Sequence, residues 1–155
     1  MPTALVVDDS ADLRFLFATM LRTIGFATVE AASGEEALAT ASAMQPLPDV
    51  VLLDVQMPVV DGWGTLAGLR DESRTAEVPI VMCTVKASPA DRVRAWELGC
   101  DAYVVKPFDI HDLLWQIREV VRRSPAERLA LREERLADAR EELGTFEEAG
   151  WRYAP

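Results

Sequence analysis

Five short apolar runs constrain this chain more than any other feature: "ALVV" (4–7), "ATVEA" (27–31), "VVLL" (50–53), "PIVMC" (79–83) and "AYVV" (102–105). Each has the length of a strand, and each is followed by apolar residues at helical spacing. The third run shows no polar alternation, which marks a strand buried on both faces. Between the runs, Leu13, Leu16, Phe17, Met20, Leu21 and Ile24 share one helical face. Ser33 followed by Glu36 is a capping box, and Ser88-Pro89-Ala90-Asp91 combines an N-cap, a first-turn proline and a first-turn acid. Ile110, Leu113, Leu114, Ile117, Val120 and Val121 form the stripe of a fifth helix. Five β–α units predict an α/β fold of the doubly wound class, a parallel sheet with helices on both faces.

Composition narrows the function classes. A formal charge of −10 argues against a nucleic-acid surface, which needs clustered Lys and Arg. No apolar stretch reaches the roughly 18 residues of a membrane span, so no membrane association is expected. "MPTALVVDDS" lacks the cationic start of a signal peptide, and a cytoplasmic location is expected. Cys83 and Cys100 fit no metal or disulfide spacing, and buried thiols are the plain reading.

In doubly wound sheets, ligands sit outside the carboxyl ends of the strands. Here the first strand ends in Asp8-Asp9, the third in Asp54, the fourth in Thr84 and the fifth in Lys106-Pro107. Three carboxylates at one edge repel one another, and Lys106 offsets only one charge. An all-oxygen site of this kind suits a hard divalent cation, Mg²⁺ above all. No GxxxxGKS phosphate loop accompanies it. A carboxylate surrounded by a metal, an ammonium and a hydroxyl has the parts needed to accept a phosphoryl group.

"VVDD", "LLDVQMPVVDGW", "MCT" and "YVVKPF", in this order and spacing, resemble the receiver domain of bacterial two-component response regulators over residues 3 to about 123. The resemblance implies a flavodoxin-like sheet of strand order 2-1-3-4-5. It implies Asp54 as phosphoacceptor, and Asp8, Asp9, Asp54 and the backbone carbonyl of Gln56 as the Mg²⁺ site. Lys106 and Thr84 would hold the phosphoryl oxygens, and Tyr103 would be the switch aromatic. A cis bond is implied before Pro107. The implied phosphodonor is a cognate histidine kinase or phosphotransfer protein. Taken singly, Asp8 or Asp9 also fits a helix cap, Thr84 a strand-end hydroxyl and Tyr103 a core aromatic. Asp61-Gly62 is read as a turn.

Two positions depart from the family's usual pattern. Val85 stands where a small residue follows the switch threonine, and Lys86 adds a cation opposite Gln56; these three are candidate modulators at the mouth of the site. Phe15 and Trp115 lie opposite the apolar stripes of their helices, which fits either isolated exposed aromatics or a partner surface.

Residues 124–155 are read as a helical tail with no separate domain, after a receiver at 1–123. Ser124-Pro125-Ala126-Glu127 opens a helix expected to stop at Gly144. Leu129, Leu136 and Leu143 recur every seven residues, a seam too thin for a coiled coil by itself. Either docking onto its own receiver or a homodimer through the fifth helix and the tail would bury that seam, and the dimer is the preferred expectation, with Trp115 as the matching surface. Three functions are weighed: a phosphorylation-dependent signalling module acting by protein contact, the receiver part of a longer regulator, and an aspartyl-nucleophile phosphatase. The last expects a second Asp two residues after the nucleophile, where this chain has Gln56, so no enzyme activity is expected.

Overall fold

The computed structural model describes residues 1–150. Its strands are β1 (Thr3–Val7), β2 (Ala27–Ala31), β3 (Val50–Leu53), β4 (Ile80–Thr84) and β5 (Ala102–Val105), and its helices are α1 (Ala11–Thr23), α2 (Gly34–Ala43), α3 (Gly62–Asp71), α4 (Pro89–Leu98), α5 (Ile110–Arg122) and α6 (Pro125–Glu148). All strand pairs are parallel, in the order β2-β1-β3-β4-β5. This is the doubly wound, flavodoxin-like order expected.

Alternate side chains of each strand supply two cores, as the pleat requires. Leu5, Val7, Val51, Leu53, Ile80 and Met82 pack with Ala37, Leu66, Leu69 and Ala95 of α2, α3 and α4. Ala4, Val6, Val50, Leu52, Val81 and Cys83 pack on the other face with Phe17, Leu21, Leu113, Ile117 and Val120 of α1 and α5. The central strands therefore show no polar alternation because neither face meets water. Leu16 and Ile110 correct the expected stripes: both lie at stripe edges and are about half exposed, at 45% and 47%.

Register sets the ends of the strands level. Val7 pairs with Leu53, and Thr84 with Val105, so Asp8 and Asp54 leave the sheet side by side while Lys106 follows next to Thr84. The Asp54 N–H still donates to the Val7 carbonyl at 3.1 Å, and the Lys106 N–H to the Thr84 carbonyl at 2.8 Å. Asp61-Gly62 proves to be more than a turn. Asp61 caps α3 by accepting from Gly64 N–H, and Gly62 opens that helix against the β3 terminus. A Cβ on Gly62 would lie 2.3 Å from the Asp54 carbonyl oxygen and 2.4 Å from Val55 Cα, so only glycine lets α3 approach so closely.

The tail departs most from expectation. The helix α6 does not stop at Gly144 but runs through it to Glu148, and the left-handed residue beyond its end is Gly150, at φ 85°. Its capping box forms as read, with Ser124 accepting from Glu127 N–H and Glu127 accepting from Ser124 N–H. The helix lies antiparallel on α4: Arg132 reaches Asp101 at the far end of α4, whereas Glu142 pairs with Arg92 in its first turns. The tail docks on its own chain against α4, the alternative weighed beside the dimer, and Leu131 of α6 shares a cleft with Trp115. The leucine seam is only partly enclosed, with Leu136 and Leu143 half-buried. Leu129 is half exposed, while Arg128 and Ala139 are the buried tail residues. The final residues of the tail lie outside the described residues.

A buried carboxylate anchors the tail. Asp101, immediately before β5, accepts from Arg70 of α3, Arg132 of α6 and the Ile80 N–H, all at 2.8–2.9 Å, with Arg128 Nε at 3.6 Å. Arg70 also donates to the carbonyls of Gly99, Ala76 and Val78, and Arg128 to those of Arg123 and Glu77. Asp101→Ala leaves three guanidinium groups around an emptied centre. It should cost about 3–5 kcal/mol in a urea melt, the range for breaking a buried ion pair from one side. Gly62→Ala should also destabilise, by roughly 1–3 kcal/mol for an overpacked position, more if the β3 terminus cannot shift.

Candidate functional site

The carboxyl ends of β1, β3, β4 and β5 bring together what the sequence placed there. Carboxylate oxygens of Asp8, Asp9 and Asp54 all lie within 4.8 Å of one another. Asp8 and Asp54 are buried while Asp9 is exposed, so the cluster opens to solvent on one side. Lys106 Nζ stands 3.6 Å from both Asp8 Oδ2 and Asp54 Oδ2. One ammonium against three carboxylates leaves an excess of two negative charges in a half-enclosed cleft.

Local structure holds each group in place. Asp8 Oδ1 accepts from Ser10 N–H at 2.9 Å, and Ser10, in turn, caps α1 by accepting from Leu13 N–H. The cap is thus Ser10, which frees both aspartates for the cleft. Asp54 Oδ1 accepts from the Gln56 N–H at 3.3 Å. The Lys106 ammonium lies 5.8 Å from the centre of the Phe17 ring, and Phe17 stacks on Phe108 at 5.9 Å. These two phenylalanines were not foreseen as site residues. Phe17 read as an ordinary core position, and no signal separates a core ring from one that also supports a cation. The Lys106–Pro107 peptide is cis, as is Gln45–Pro46.

Electrostatics show the cost of the arrangement. Burial pushes the Asp8 carboxyl up from its ordinary value; the Ser10 amide and Lys106 oppose this, and the Asp54 and Asp9 charges add to it. Asp8 Oδ2 is buried and accepts no hydrogen bond. An orphaned carboxylate oxygen in an all-oxygen, doubly negative cluster fits a hard divalent cation, which would supply the missing charge and the missing partner. Asp8, Asp9 and Asp54 are the side chains able to hold it.

The remaining predicted residues ring this core. Thr84 is fully buried, and its Oγ1 accepts from the Lys86 N–H at 3.1 Å. Tyr103, on β5, donates its hydroxyl to the carbonyl of the same Lys86. Burial moves the Tyr103 phenol well above its ordinary range, with Asp91 adding to the shift. Val85, Lys86 and Gln56 are exposed at the rim. Val59, in the loop after Asp54, holds a left-handed backbone at φ 66° and is 91% exposed, an unusual state for a β-branched residue. Phe15 stands 68% exposed on α1 and Trp115 57% exposed on α5, so both face outward as their helical phase predicted. Trp115 lines a cleft with Tyr103, Trp96 and Leu131 of α6, away from the carboxylates.

No helix among the described residues is long and apolar enough to cross a membrane. Residues 4–118 match the response regulator receiver domain family. The chain is 46% identical over 120 residues to a probable transcriptional regulator, ycf27, of Guillardia theta, covering 77% of this chain and 45% of that protein. It is 33% identical over 124 residues to the DNA-binding dual master transcriptional regulator RpaA of a Synechocystis strain, covering 80% of this chain and 51% of that one. The chain thus spans about half the length of the curated relatives it matches. Among solved structures, the chemotaxis response regulator CheY4 of Vibrio cholerae superposes with a TM-score of 0.72 at 34% identity, covering 77% of this chain and 98% of that one. The receiver domain of a sensor histidine kinase from Pseudomonas aeruginosa, with magnesium coordinated in its active-site cleft, superposes with a TM-score of 0.70 at 27% identity, covering 77% and 97%. A five-stranded sheet in the order 2-1-3-4-5, its acidic cleft facing one lysine, and a match over most of the chain agree: this protein belongs to the response regulator receiver family of two-component systems.

Proposed function

We propose that Asp54 accepts a phosphoryl group from a histidine kinase or phosphotransfer protein, and that the phosphorylated chain signals by protein contact. The observation that carries this reading is one carboxylate, Asp54, 3.6 Å from the Lys106 ammonium and within 4.8 Å of two further carboxylates. Asp54 Oδ supplies the nucleophile, and its bond to phosphorus forms as the donor's bond breaks. Asp8, Asp9 and Asp54, with the Gln56 carbonyl, would hold Mg²⁺, which would supply charge neutralisation for that transfer. Lys106 pairs with a phosphoryl oxygen, and the Thr84 hydroxyl turns to donate to another. Burial of Asp54 beside Val55 and Met57 limits water, and Val85 and Lys86 set how freely water reaches the acyl phosphate from the rim.

The phosphodonor docks over the exposed apolar residues of α1 and the start of α5, where Phe15, Leu16 and Ile110 stand outward on neighbouring helices. A second reading is that these residues form the receiver part of a longer regulator. It is favoured by relatives that are about twice the matched length and carry names of transcriptional regulators, one of them DNA-binding.

Incubating the protein with acetyl phosphate and Mg²⁺ should add one phosphoryl group, stable to acid and labile to base, and Asp54→Asn should abolish it; intact mass reads the result. Labelling of Asp54→Asn at an unchanged rate would sink the assignment. Asp9→Asn should weaken Mg²⁺ binding and slow phosphorylation, because one of few charged ligands is lost.

Asp8 generates a prediction of opposite sign for stability. Its folded pKa is raised, so the folded state binds more protons than the unfolded one and stability falls as pH rises through the carboxylate range. At neutral pH, without Mg²⁺, Asp8→Asn should raise the urea midpoint while weakening the metal. A lower midpoint in the variant refutes the repulsion account. Val85→Ala should shorten the phosphoryl lifetime by about tenfold, or ~1.4 kcal/mol of barrier, if the Val85 methyl groups shield the acyl phosphate. A lifetime equal to or longer than that of the parent rejects shielding.

A further inference from the structure

One residue, Lys86, sits between the phosphorylation site and the tail. The Lys86 N–H donates to Thr84 Oγ1 at 3.1 Å, and the Lys86 carbonyl accepts from the Tyr103 hydroxyl. Two residues later Ser88 caps α4, accepting from Asp91 N–H at 3.1 Å. One turn into α4, Arg92 Nη1 donates to Glu142 of α6 at 3.0 Å. A short covalent and hydrogen-bonded path therefore runs from the Thr84 hydroxyl through Lys86 and the first turn of α4 to the distal half of the tail helix.

The two halves of α6 are held differently. The proximal half is tied by Arg128 and Arg132 to Asp101, whose side chain is 1% exposed, and by Arg128 to backbone carbonyls. The distal half carries two exposed pairs, Arg92–Glu142 and Arg140–Glu97, beside buried Ala139 and half-buried Leu136, Leu143 and Phe146. Exposed pairs contribute little each and are screened by salt. Acids crowd the last turns with no basic residue there to offset the helix dipole, and Gly144 lowers helix propensity in the same stretch. The buried ion-pair anchor thus belongs to the proximal half alone, among the ion pairs of α6.

We propose that the distal half of α6, about residues 136–148, is a strap over α4 whose release is coupled to phosphorylation of Asp54, with the Asp101 cluster as its fixed hinge. The proposal rests on the phosphoacceptor reading above. When the Thr84 hydroxyl turns to a phosphoryl oxygen, the Lys86 N–H loses its acceptor unless the loop follows. Movement of that loop also takes the Lys86 carbonyl from Tyr103 and displaces the first turn of α4, which carries Arg92 away from Glu142. Contacts that fit only the unphosphorylated loop are lost, and the strap opens from its C-terminal end. Linkage requires the converse: loosening the strap must favour the phosphorylated loop to the same degree.

The test uses the full chain and two separate readouts. Intact mass first establishes phosphorylation of Asp54 by acetyl phosphate with Mg²⁺, and hydrogen exchange by mass spectrometry then compares peptides across α6. Phosphorylation should speed exchange over 136–148 by at least about fivefold, a coupling on the order of 1 kcal/mol, while 126–134 keeps its protection. Glu142→Gln, an exposed position that leaves the fold intact, should speed exchange over the same stretch without phosphorylation and raise the equilibrium phosphorylated fraction. Full phosphorylation with unchanged exchange over 136–148 overturns the strap and leaves the phosphoacceptor standing. Loss of protection throughout 126–148 overturns the hinge at Asp101. Failure to phosphorylate Asp54 at all overturns the phosphoacceptor reading, and the strap falls with it.

Discussion

Like-charge crowding at the ends of β1 and β3 is the constraint around which this molecule is arranged. Asp8 and Asp54 are forced side by side by the Val7–Leu53 register, and that register cannot slip. A one-residue shift would turn Leu5, Val7, Val51 and Leu53 onto the wrong core. The apolar packing of the sheet thus holds two carboxylates together against their repulsion. Asp8 carries the strain as a raised pKa and an oxygen without a hydrogen bond, faced by the Lys106 ammonium at 3.6 Å. A site that is costly when empty and relieved by a cation is poised for metal-dependent chemistry.

Much of this was legible in the sequence, and the reason is geometric. In a parallel sheet the residue after each strand has a fixed place, so naming the strand ends named Asp8, Asp9, Asp54, Thr84 and Lys106 as neighbours. Helix starts were legible too, since Ser33, Ser88 and Ser124 announce themselves by local chemistry. Asp61 carried the same signal, but the adjacent glycine suggested a turn; only the close approach to the Asp54 carbonyl explains Gly62.

The tail was poorly legible because its partners are distant in sequence and its contacts are polar. Leucine periodicity suggested an apolar seam, yet the inward residues include Arg128, Arg132 and Ala139, which no hydropathy pattern singles out. Ion pairs between Arg132 and Asp101 or Arg140 and Glu97 span 31 and 43 residues and leave no local trace. Gly144 was taken as a stop signal, and a glycine costs only about 1 kcal/mol inside a helix, a deficit that packing readily offsets.

Strand β5 is bracketed by two inverse charge clusters, and their contrast separates chemistry from architecture. Before it, Asp101 gathers Arg70, Arg128 and Arg132, an excess of two positive charges. After it, Lys106 faces Asp8, Asp9 and Asp54, an excess of two negative charges. The positive cluster is met largely within the protein, because the carbonyls of Ala76, Glu77, Val78, Gly99 and Arg123 accept from its guanidinium groups, although Arg128 Nε and Arg132 Nε lie buried without a hydrogen bond. Carboxylates have only acceptors, and the Ser10 and Gln56 amides that reach Asp8 and Asp54 leave Asp8 Oδ2 without a hydrogen bond. Their excess suits a cation from outside. The same imbalance of charge therefore ties the tail down at one end of β5 and gathers an acidic cleft at the other.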